Sequence, residues 1–226
     1  IYTFIGYGLF LYTFVILKRL FTSTVPAIQH DKKPSVSLVI SCYNEKDVLD
    51  EKVNNCLNLD YPKELLEIIF VTDDSDKFLN NYPDITVLHE EPRKGKIAAM
   101  HRGVVQANNE ILIFCDANTE LNPLSIFHLT KHFADKSVGC VAGEKSVISE
   151  KSDGAAGAGE GFYWQYESLL KRLDSELSSA MGAAGELFAV RKDLFEQVEN
   201  DTVLDDFMIS MRLLINNYKV VYEPLA

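Results

Sequence analysis

Residues 110–118 read EILIFCDAN, and the fold class follows from this stretch. Its consecutive apolar side chains, Ile111 to Phe114, predict a strand that is buried on both faces, as strands of parallel sheets are. Two earlier runs have the same form, VSLVISC at 36–42 and LEIIFV at 66–71. Helical patterns separate these runs. The alternation predicts an α/β fold with a mostly parallel, Rossmann-like sheet and helices on both faces.

The remaining elements follow from the same periodicities. Further strands are predicted at 85–89, 138–142, 187–190 and 219–222, and helices at 45–57, 95–107, 124–133, 162–177 and 204–214. The glycine- and alanine-rich segment 152–161 predicts a mobile loop. A phosphate-binding glycine loop is the alternative there, although no strand runs directly into it.

Composition limits the kind of partner. The formal charge of −11 argues against nucleic acid as the main partner, because phosphate backbones need an excess of Lys and Arg. The apolar content of 47% is ordinary for a globular protein. The four cysteines form no CxxC pair, which favours buried, reduced thiols and a reducing compartment.

The first residues differ from the rest of the chain. The nearly uninterrupted apolar run Ile1–Leu17, followed by Lys18 and Arg19, predicts part of a transmembrane helix at 1–21. A helix lying on the membrane surface is the alternative. The basic residues after the run predict that the rest of the chain is cytoplasmic. The prolines and mixed charges that follow predict a linker at 22–34, and a folded domain is predicted at 35–226.

Polar side chains come directly after three of the predicted strands. They are Tyr43, Asn44 and Glu45 after the first, Asp73 to Asp76 after the second, and Asp116 and Asn118 after the fourth. Ligands of open parallel sheets bind beyond the carboxyl ends of the strands, so the three groups predict one shared crevice. Each group taken singly could instead be a turn or a helix cap.

Two segments suggest a site for a metal and a diphosphate. The carboxylate of Asp116 and the amide oxygen of Asn118 suit Mg²⁺ or Mn²⁺, which also accept phosphate oxygens as ligands. The basic segment 93–96 opens a predicted helix, where Lys94, Lys96 and free N–H groups could face a diphosphate. A solvated basic turn is the alternative for this segment.

Two adjacent carboxylates begin the predicted helix at 204–214. Asp205 and Asp206 could simply stabilise the helix, because the positive end of the helix dipole favours carboxylates at its N-terminus. The other interpretation makes Asp206 a general base, because the adjacent carboxylate of Asp205 raises its pKa toward working pH.

Together these motifs resemble glycosyltransferase family 2, the inverting enzymes with the GT-A fold, close to the membrane-bound polysaccharide synthases. The motifs that occur in the family's order are Ser41-Cys42-Tyr43-Asn44-Glu45, Val71-Thr72-Asp73-Asp74-Ser75, Lys94-Gly95-Lys96, Asp116-Ala117-Asn118, and Asp205-Asp206. The resemblance implies a nucleotide-sugar donor, with UDP as the expected nucleotide, held by Tyr43, Asn44, Glu45, Asp73, Lys94, Lys96 and Asp116. It also implies a metal on Asp116 and Asn118, and Asp206 as the catalytic base with Asp205 beside it.

The resemblance also implies an acceptor side, for a saccharide or lipid-linked acceptor. The residues predicted for it are Gly185, Glu186 and Arg191. Trp164, with Tyr163 and Tyr166, could form a stacking face for an acceptor sugar, and ordinary helix packing is the alternative.

Two departures from the family pattern leave other functions open. Asn118 replaces the usual second Asp, so we expect weaker metal binding and keep an inactive, membrane-tethered partner as one alternative. The family's later Gln-x-x-Arg-Trp motif is absent, and we expect the sequence to be a fragment of a longer protein. A sugar nucleotidyltransferase is the other alternative, although it would carry a glycine-rich loop where this chain has Cys42-Tyr43-Asn44-Glu45.

Overall fold

The computed structural model describes residues 5–21, 33–42, 45–72, 79, 82–89, 94–145 and 155–226. Seven strands form a single sheet in the order β3-β2-β1-β4-β6-β5-β7. Their bounds are β1 Val36–Cys42, β2 Leu66–Thr72, β3 Thr86–His89, β4 Ile111–Asp116, β5 Val138–Gly143, β6 Leu187–Arg191 and β7 Lys219–Glu223. Neighbouring strands are parallel except where β6 runs antiparallel to β4 and β5. The predicted α/β class and mostly parallel sheet are confirmed.

Helices cover both faces of this sheet. Their bounds are α1 Tyr7–Phe21, α2 Lys46–Leu57, α3 Lys96–Gln106, α4 Ser125–Thr130, α5 Ala155–Leu177 and α6 Asp205–Ile215. One buried cluster joins Ile40 and Ile113 to side chains of α2 and α4. A second joins Val39 and Phe114 to side chains of α3 and α6. Because successive strand residues point to opposite faces, the apolar runs of β1 and β4 feed both clusters.

The segment 152–161 was predicted incorrectly as a loop from residue 155 onward, because α5 begins at Ala155. Alanine is the best helix former, and extending an existing helix needs no new nucleus. The helix predicted from Phe162 therefore continues backward through the alanines in spite of the glycines. Residues 152–154 lie outside the described residues.

The helix α1 lies against α5. Leu11 and Val15 are buried against Leu173, and the Tyr7 hydroxyl donates a 2.6 Å hydrogen bond to Asp174. The Lys18 ammonium donates to the carbonyls of Glu176 and Leu177, the last residues of α5. These contacts satisfy carbonyls that a helix end leaves without partners.

Within the described residues, no helix combines the length and the apolar character needed to cross a bilayer. Residues 22–32 of the predicted linker lie outside the described residues.

Candidate functional site

The strand ends that carry polar residues lie side by side. The parallel register aligns Ser41 of β1 with Asp116 of β4, and Cys42 of β1 with Thr72 of β2. Asp116 therefore lies at the carboxyl-terminal edge of the sheet, the side at which β1 and β2 also end, as predicted. Glu45, half-buried, lies between β1 and the start of α2. Tyr43, Asn44 and Asp73 lie outside the described residues, so their part in this edge stays a prediction.

A lysine pairs with the carboxylate at the end of β4. The ammonium of Lys96, the first residue of α3, lies 2.7 Å from Oδ1 of Asp116. Burial alone lowers the pKa of Lys96, but Asp116, with smaller contributions from Asp205 and Asp206, raises it overall. Lys96 is thus a cation that contacts Asp116 and interacts electrostatically with Asp205 and Asp206, from a distant segment of the chain. Lys94 is exposed and lies just before α3.

Asp205 and Asp206 form the first turn of α6, where both side chains are half-buried. Burial raises the pKa of Asp206; the N–H of Phe207 opposes this shift, the Asp205 carboxylate adds to it, and Lys96 reduces it. The predicted effect of the neighbouring carboxylate is present, but burial is the larger cause. A carboxyl group with a raised pKa beside an open edge suits a general base.

Two consecutive residues connect the Asp206 carboxylate to Asp116. A Cβ atom built on Gly185 would lie 3.3 Å from Oδ2 of Asp206, so Gly185 lies directly against that carboxylate. The carbonyl of Glu186 accepts a 3.3 Å hydrogen bond from the N–H of Asp116. Asp116 and Asp206 are 90 positions apart in the sequence, and the segment Gly185-Glu186 brings them to one edge of the sheet.

The side chain of Glu186 belongs to a second cluster at this edge. Lys145 donates a hydrogen bond to the Glu186 carboxylate, and its ammonium lies 5.1 Å from the centre of the Trp164 ring. Burial alone raises the pKa of Glu186, but the hydrogen bond from Lys145 lowers it overall. The sequence analysis missed Lys145, although its position two residues beyond the end of β5 is a usable signal.

The three aromatic side chains at the start of the predicted helix separate in the structure. Trp164 contacts the Lys145 cluster and packs edge-to-face against Tyr163, which is exposed. Tyr166 instead lines an apolar groove between α1 and α5, beside Gly8. Trp164 and Tyr163 stay candidates for an acceptor surface, and Tyr166 packs against α1.

The prediction that Arg191 belongs to the acceptor side is wrong. Because β6 is antiparallel to β4, Arg191 pairs with Ile111 at the opposite end of β4 from Asp116. Its guanidinium donates to the carbonyls of Phe133, Asp135 and Val138. Arg191 therefore holds the connection into β5 and lies away from the acidic edge.

The oxygen ligands at the end of β4 fit a hard divalent cation. Asp116 and Asn118 share one turn, closed by a 3.2 Å hydrogen bond from the N–H of Thr119 to the carbonyl of Asp116, and Asn118 is exposed. Among the described residues, no group of three His, Cys, Asp or Glu side chains could hold a metal by itself. A carboxylate and an amide oxygen leave most ligand positions to phosphate oxygens and water, an arrangement that Mg²⁺ and Mn²⁺ accept.

A mostly parallel sheet with one antiparallel strand and carboxylates beyond β4 is compatible with the GT-A fold. The sequence model of the family described as "Glycosyl transferase family 2" matches residues 37–199. The chain belongs to this family, and the resemblance seen in the motifs is confirmed.

Relatives of this chain include polysaccharide synthases. The chain is 25% identical to a poly-beta-1,6-N-acetyl-D-glucosamine synthase of Staphylococcus epidermidis over 234 aligned residues, which cover 97% of the chain and 55% of the relative. It is 27% identical to the synthase of the same name from Staphylococcus aureus, over 89% of the chain and 51% of the relative. The chain thus spans about half the length of these relatives.

Solved structures show the same fold. A mannosyltransferase from Pyrobaculum calidifontis, solved with GDP-Man and Mn²⁺, superposes with a TM-score of 0.75 at 22% identity, covering 99% of this chain and 64% of that one. GalNAc-T7, solved with UDP, GalNAc and Mn²⁺, superposes with a TM-score of 0.66 at 19% identity, covering 87% and 43%.

Proposed function

We propose that this chain is the catalytic part of an inverting, metal-dependent glycosyltransferase. It moves a hexose or N-acetylhexosamine from a nucleoside diphosphate, UDP in the first instance, to a hydroxyl of a growing polysaccharide or a lipid-linked acceptor. One observation carries the proposal: Lys96 pairs with Asp116, and the segment Gly185-Glu186 brings Asp206 to the same edge of the sheet.

The donor diphosphate lies along this edge. Lys96 opens α3, so its ammonium and the first N–H groups of the helix together suit a phosphate oxygen. In this proposal, the nucleobase of the donor binds to Tyr43, Glu45 and Asp73.

A divalent cation, Mg²⁺ or Mn²⁺, would be held by Asp116 and Asn118. When bound, it neutralises the negative charge that accumulates on a departing diphosphate. The Mn²⁺ in the two solved glycosyltransferases supports a metal in this fold.

Asp206 acts on the acceptor. Its carboxylate takes the proton from the acceptor hydroxyl, whose oxygen attacks the anomeric carbon from the face opposite the diphosphate. The bond from the anomeric carbon to the diphosphate oxygen breaks with its electron pair on that oxygen, and the configuration inverts. The Glu186 carboxylate and the Trp164 ring, joined by Lys145, supply a polar and an aromatic surface for the acceptor sugar.

Release of the nucleoside diphosphate from the full-length protein tests the proposal. The assay uses UDP-GlcNAc, UDP-GalNAc, UDP-glucose and GDP-mannose, each with Mn²⁺ and with EDTA. We expect release from a UDP-sugar that EDTA abolishes. UDP-GlcNAc is the first donor to try, because the named relatives are N-acetylglucosamine polymer synthases.

Two results would contradict the proposal. Release of pyrophosphate from UTP and a sugar 1-phosphate, with no release of UDP from a UDP-sugar, would identify a sugar nucleotidyltransferase. Failure to bind UDP in Mn²⁺, measured by calorimetry, would identify an inactive partner of another synthase.

We also propose that α1 anchors the protein to a membrane, with the catalytic domain on the cytoplasmic side. Only Leu11 and Val15 of this helix are buried. Most of its other side chains are exposed and apolar or aromatic: Leu9, Phe10, Tyr12, Phe14, Ile16, Leu17, Leu20 and Phe21. A helix that is apolar on nearly all sides suits a lipid environment.

Fractionation of cells that produce the full-length protein tests this anchoring. The variants Phe10→Glu and Leu17→Glu place charges on the exposed face, and we expect them to weaken retention in the membrane fraction. Val105→Glu is the matched control, because Val105 is exposed on α3. If no other segment of the full-length protein spans the membrane, retention of the α1 variants equal to that of the parent would contradict the anchoring role of α1.

A further inference from the structure

A lysine lies in the apolar face of α2. Leu49, Lys52, Val53 and Cys56 form one stripe of this helix, and all four are buried. The side chain of Lys52 is buried with the rest of its residue, which is only 3% exposed. In the described part of the chain no carboxylate pairs with its ammonium, which donates instead to the carbonyl of Thr119 and to the sulfur of Cys115.

These two contacts close around the turn that begins where β4 ends. The Cys115 thiol donates to the carbonyl of Asp116 at 3.4 Å, and the N–H of Thr119 donates to the same carbonyl. Lys52 therefore reaches the turn directly at Thr119 and, through Cys115, at Asp116. Asp116 and Asn118, the candidate metal ligands, lie between Cys115 and Thr119, the two residues that Lys52 contacts.

The partners of the Lys52 ammonium, the Thr119 carbonyl and the Cys115 sulfur, carry no formal negative charge. Burial raises the pKa of the nearby Cys42 and Cys56 thiols, so they stay neutral although Lys52 opposes the shift. Burying an ammonium against neutral partners costs free energy, and burying an apolar side chain of similar length would not. Packing alone therefore does not explain a lysine at this position.

A second residue of α2 holds the next part of the same loop. Asn55, one turn after Lys52, donates from its amide to the Leu121 carbonyl at 2.7 Å and accepts from the Leu121 N–H at 2.9 Å. Lys52 and Asn55 lie three positions apart and so share a face of the helix. Together they tie the segment 119–121 to α2.

We propose that Lys52 is a positioning residue for the metal and donor site: through Thr119 and Cys115 it fixes the turn that carries Asp116 and Asn118. This inference rests on the proposed function of that turn. With only two protein ligands, the site depends on the turn being held in place before donor and metal bind.

The test compares the full-length protein with its Lys52→Met and Lys192→Met variants. Met has nearly the length of Lys but carries no charge and no N–H donor. Lys192 is the matched control, because it also donates to a backbone carbonyl, that of Ala107, but at the opposite end of β4. Lys52→Gln, which keeps N–H donors without the charge, supplies a second variant if Lys52→Met fails to fold.

We expect Lys52→Met to raise the donor KM and the half-saturating Mn²⁺ concentration about tenfold or more, since small misplacements of a site have large effects. Amide hydrogen exchange in the peptide 116–121 should become faster, while Tm stays equal or rises. Lys192→Met should leave the donor KM, the metal requirement and this exchange unchanged.

Parental values of donor KM, metal requirement and exchange in Lys52→Met would overturn the inference. A lower Tm with an unchanged donor KM and metal requirement would overturn it as well, because Lys52 would then act only on stability. If the parent transfers no sugar, the proposed function fails, and the exchange measurement still shows whether Lys52 holds the turn.

Discussion

Gly185 lies against the carboxylate of Asp206 so closely that a Cβ atom at this position would be 3.3 Å from Oδ2. The contact is tighter than an ordinary van der Waals contact, so a side chain at 185 must displace the carboxylate by a few tenths of an ångström. Gly185 therefore leaves the space that the carboxylate of Asp206 occupies.

We expect Gly185→Ala to lower kcat about tenfold, because a general base acts only within hydrogen-bond reach of the proton. The donor KM should stay the same, since the proposed donor site lies at Lys96 and Asp116. Steady-state kinetics with saturating acceptor measures both constants. A change confined to the donor KM would contradict this role.

Asp206→Asn should lower turnover at least about 100-fold, in line with the loss of a positioned base. UDP binding, measured by calorimetry, should be unchanged. Asp201→Asn is the matched control, because Asp201 is an exposed residue before α6. Near-normal turnover of Asp206→Asn would remove Asp206 from the catalytic role.

The raised pKa of Asp206 also predicts how stability depends on pH. A carboxyl group whose pKa is higher in the folded than in the unfolded protein favours folding while it is protonated, and this contribution is lost as pH rises through the folded pKa. Asn resembles the protonated form at every pH. We therefore expect Asp206→Asn to raise Tm at about pH 7.5, and to raise it little or not at all near pH 3.5, below the usual pKa of an Asp. An equal change in Tm at both pH values would show that burial does not affect this group.

Lys96→Met removes the cation 2.7 Å from Asp116. The donor KM should rise about tenfold or more, because an ammonium that binds a phosphate oxygen makes a charge-assisted hydrogen bond. Lys63→Met, at an exposed position in the segment before β2, should behave like the parent. Equal donor KM values for the two variants would exclude Lys96 from the diphosphate site.

Arg191→Met tests the structural role of that residue. Three backbone carbonyls lose their donor, and leaving such groups without partners costs about 2–3 kcal/mol. For a domain of this size we expect Tm to fall by about 5–10 °C. Arg172→Met, on the exposed side of α5, is the control. The acceptor KM should be unchanged, and an increase would return Arg191 to the acceptor site.

Local sequence patterns predicted most of the strands and helices. The runs at 36–42, 66–71 and 111–114 are too apolar for any place other than the middle of a covered sheet, and each lies in a strand of the structure. The helix α5 was the exception, because glycine content alone does not stop a helix that alanine and an existing turn extend.

The candidate site was only partly predictable. Polar residues after β4 and at the start of α6 carried a signal, because strand ends and helix starts are recognisable in a sequence. Lys52 was overlooked, although a charged residue within the apolar stripe of α2 is itself a signal.

The sequence by itself determined the class of fold, the family and the identity of the acidic residues, since all three depend on local runs and short motifs. Tertiary structure alone decided which of these residues meet. The antiparallel direction of β6 places Gly185 and Glu186 beside Asp116 and sends Arg191 to the far end of β4. A strand as short as β6 has the same alternating pattern in either direction, and only its pairing with β4 and β5 fixes which of its ends reaches the site.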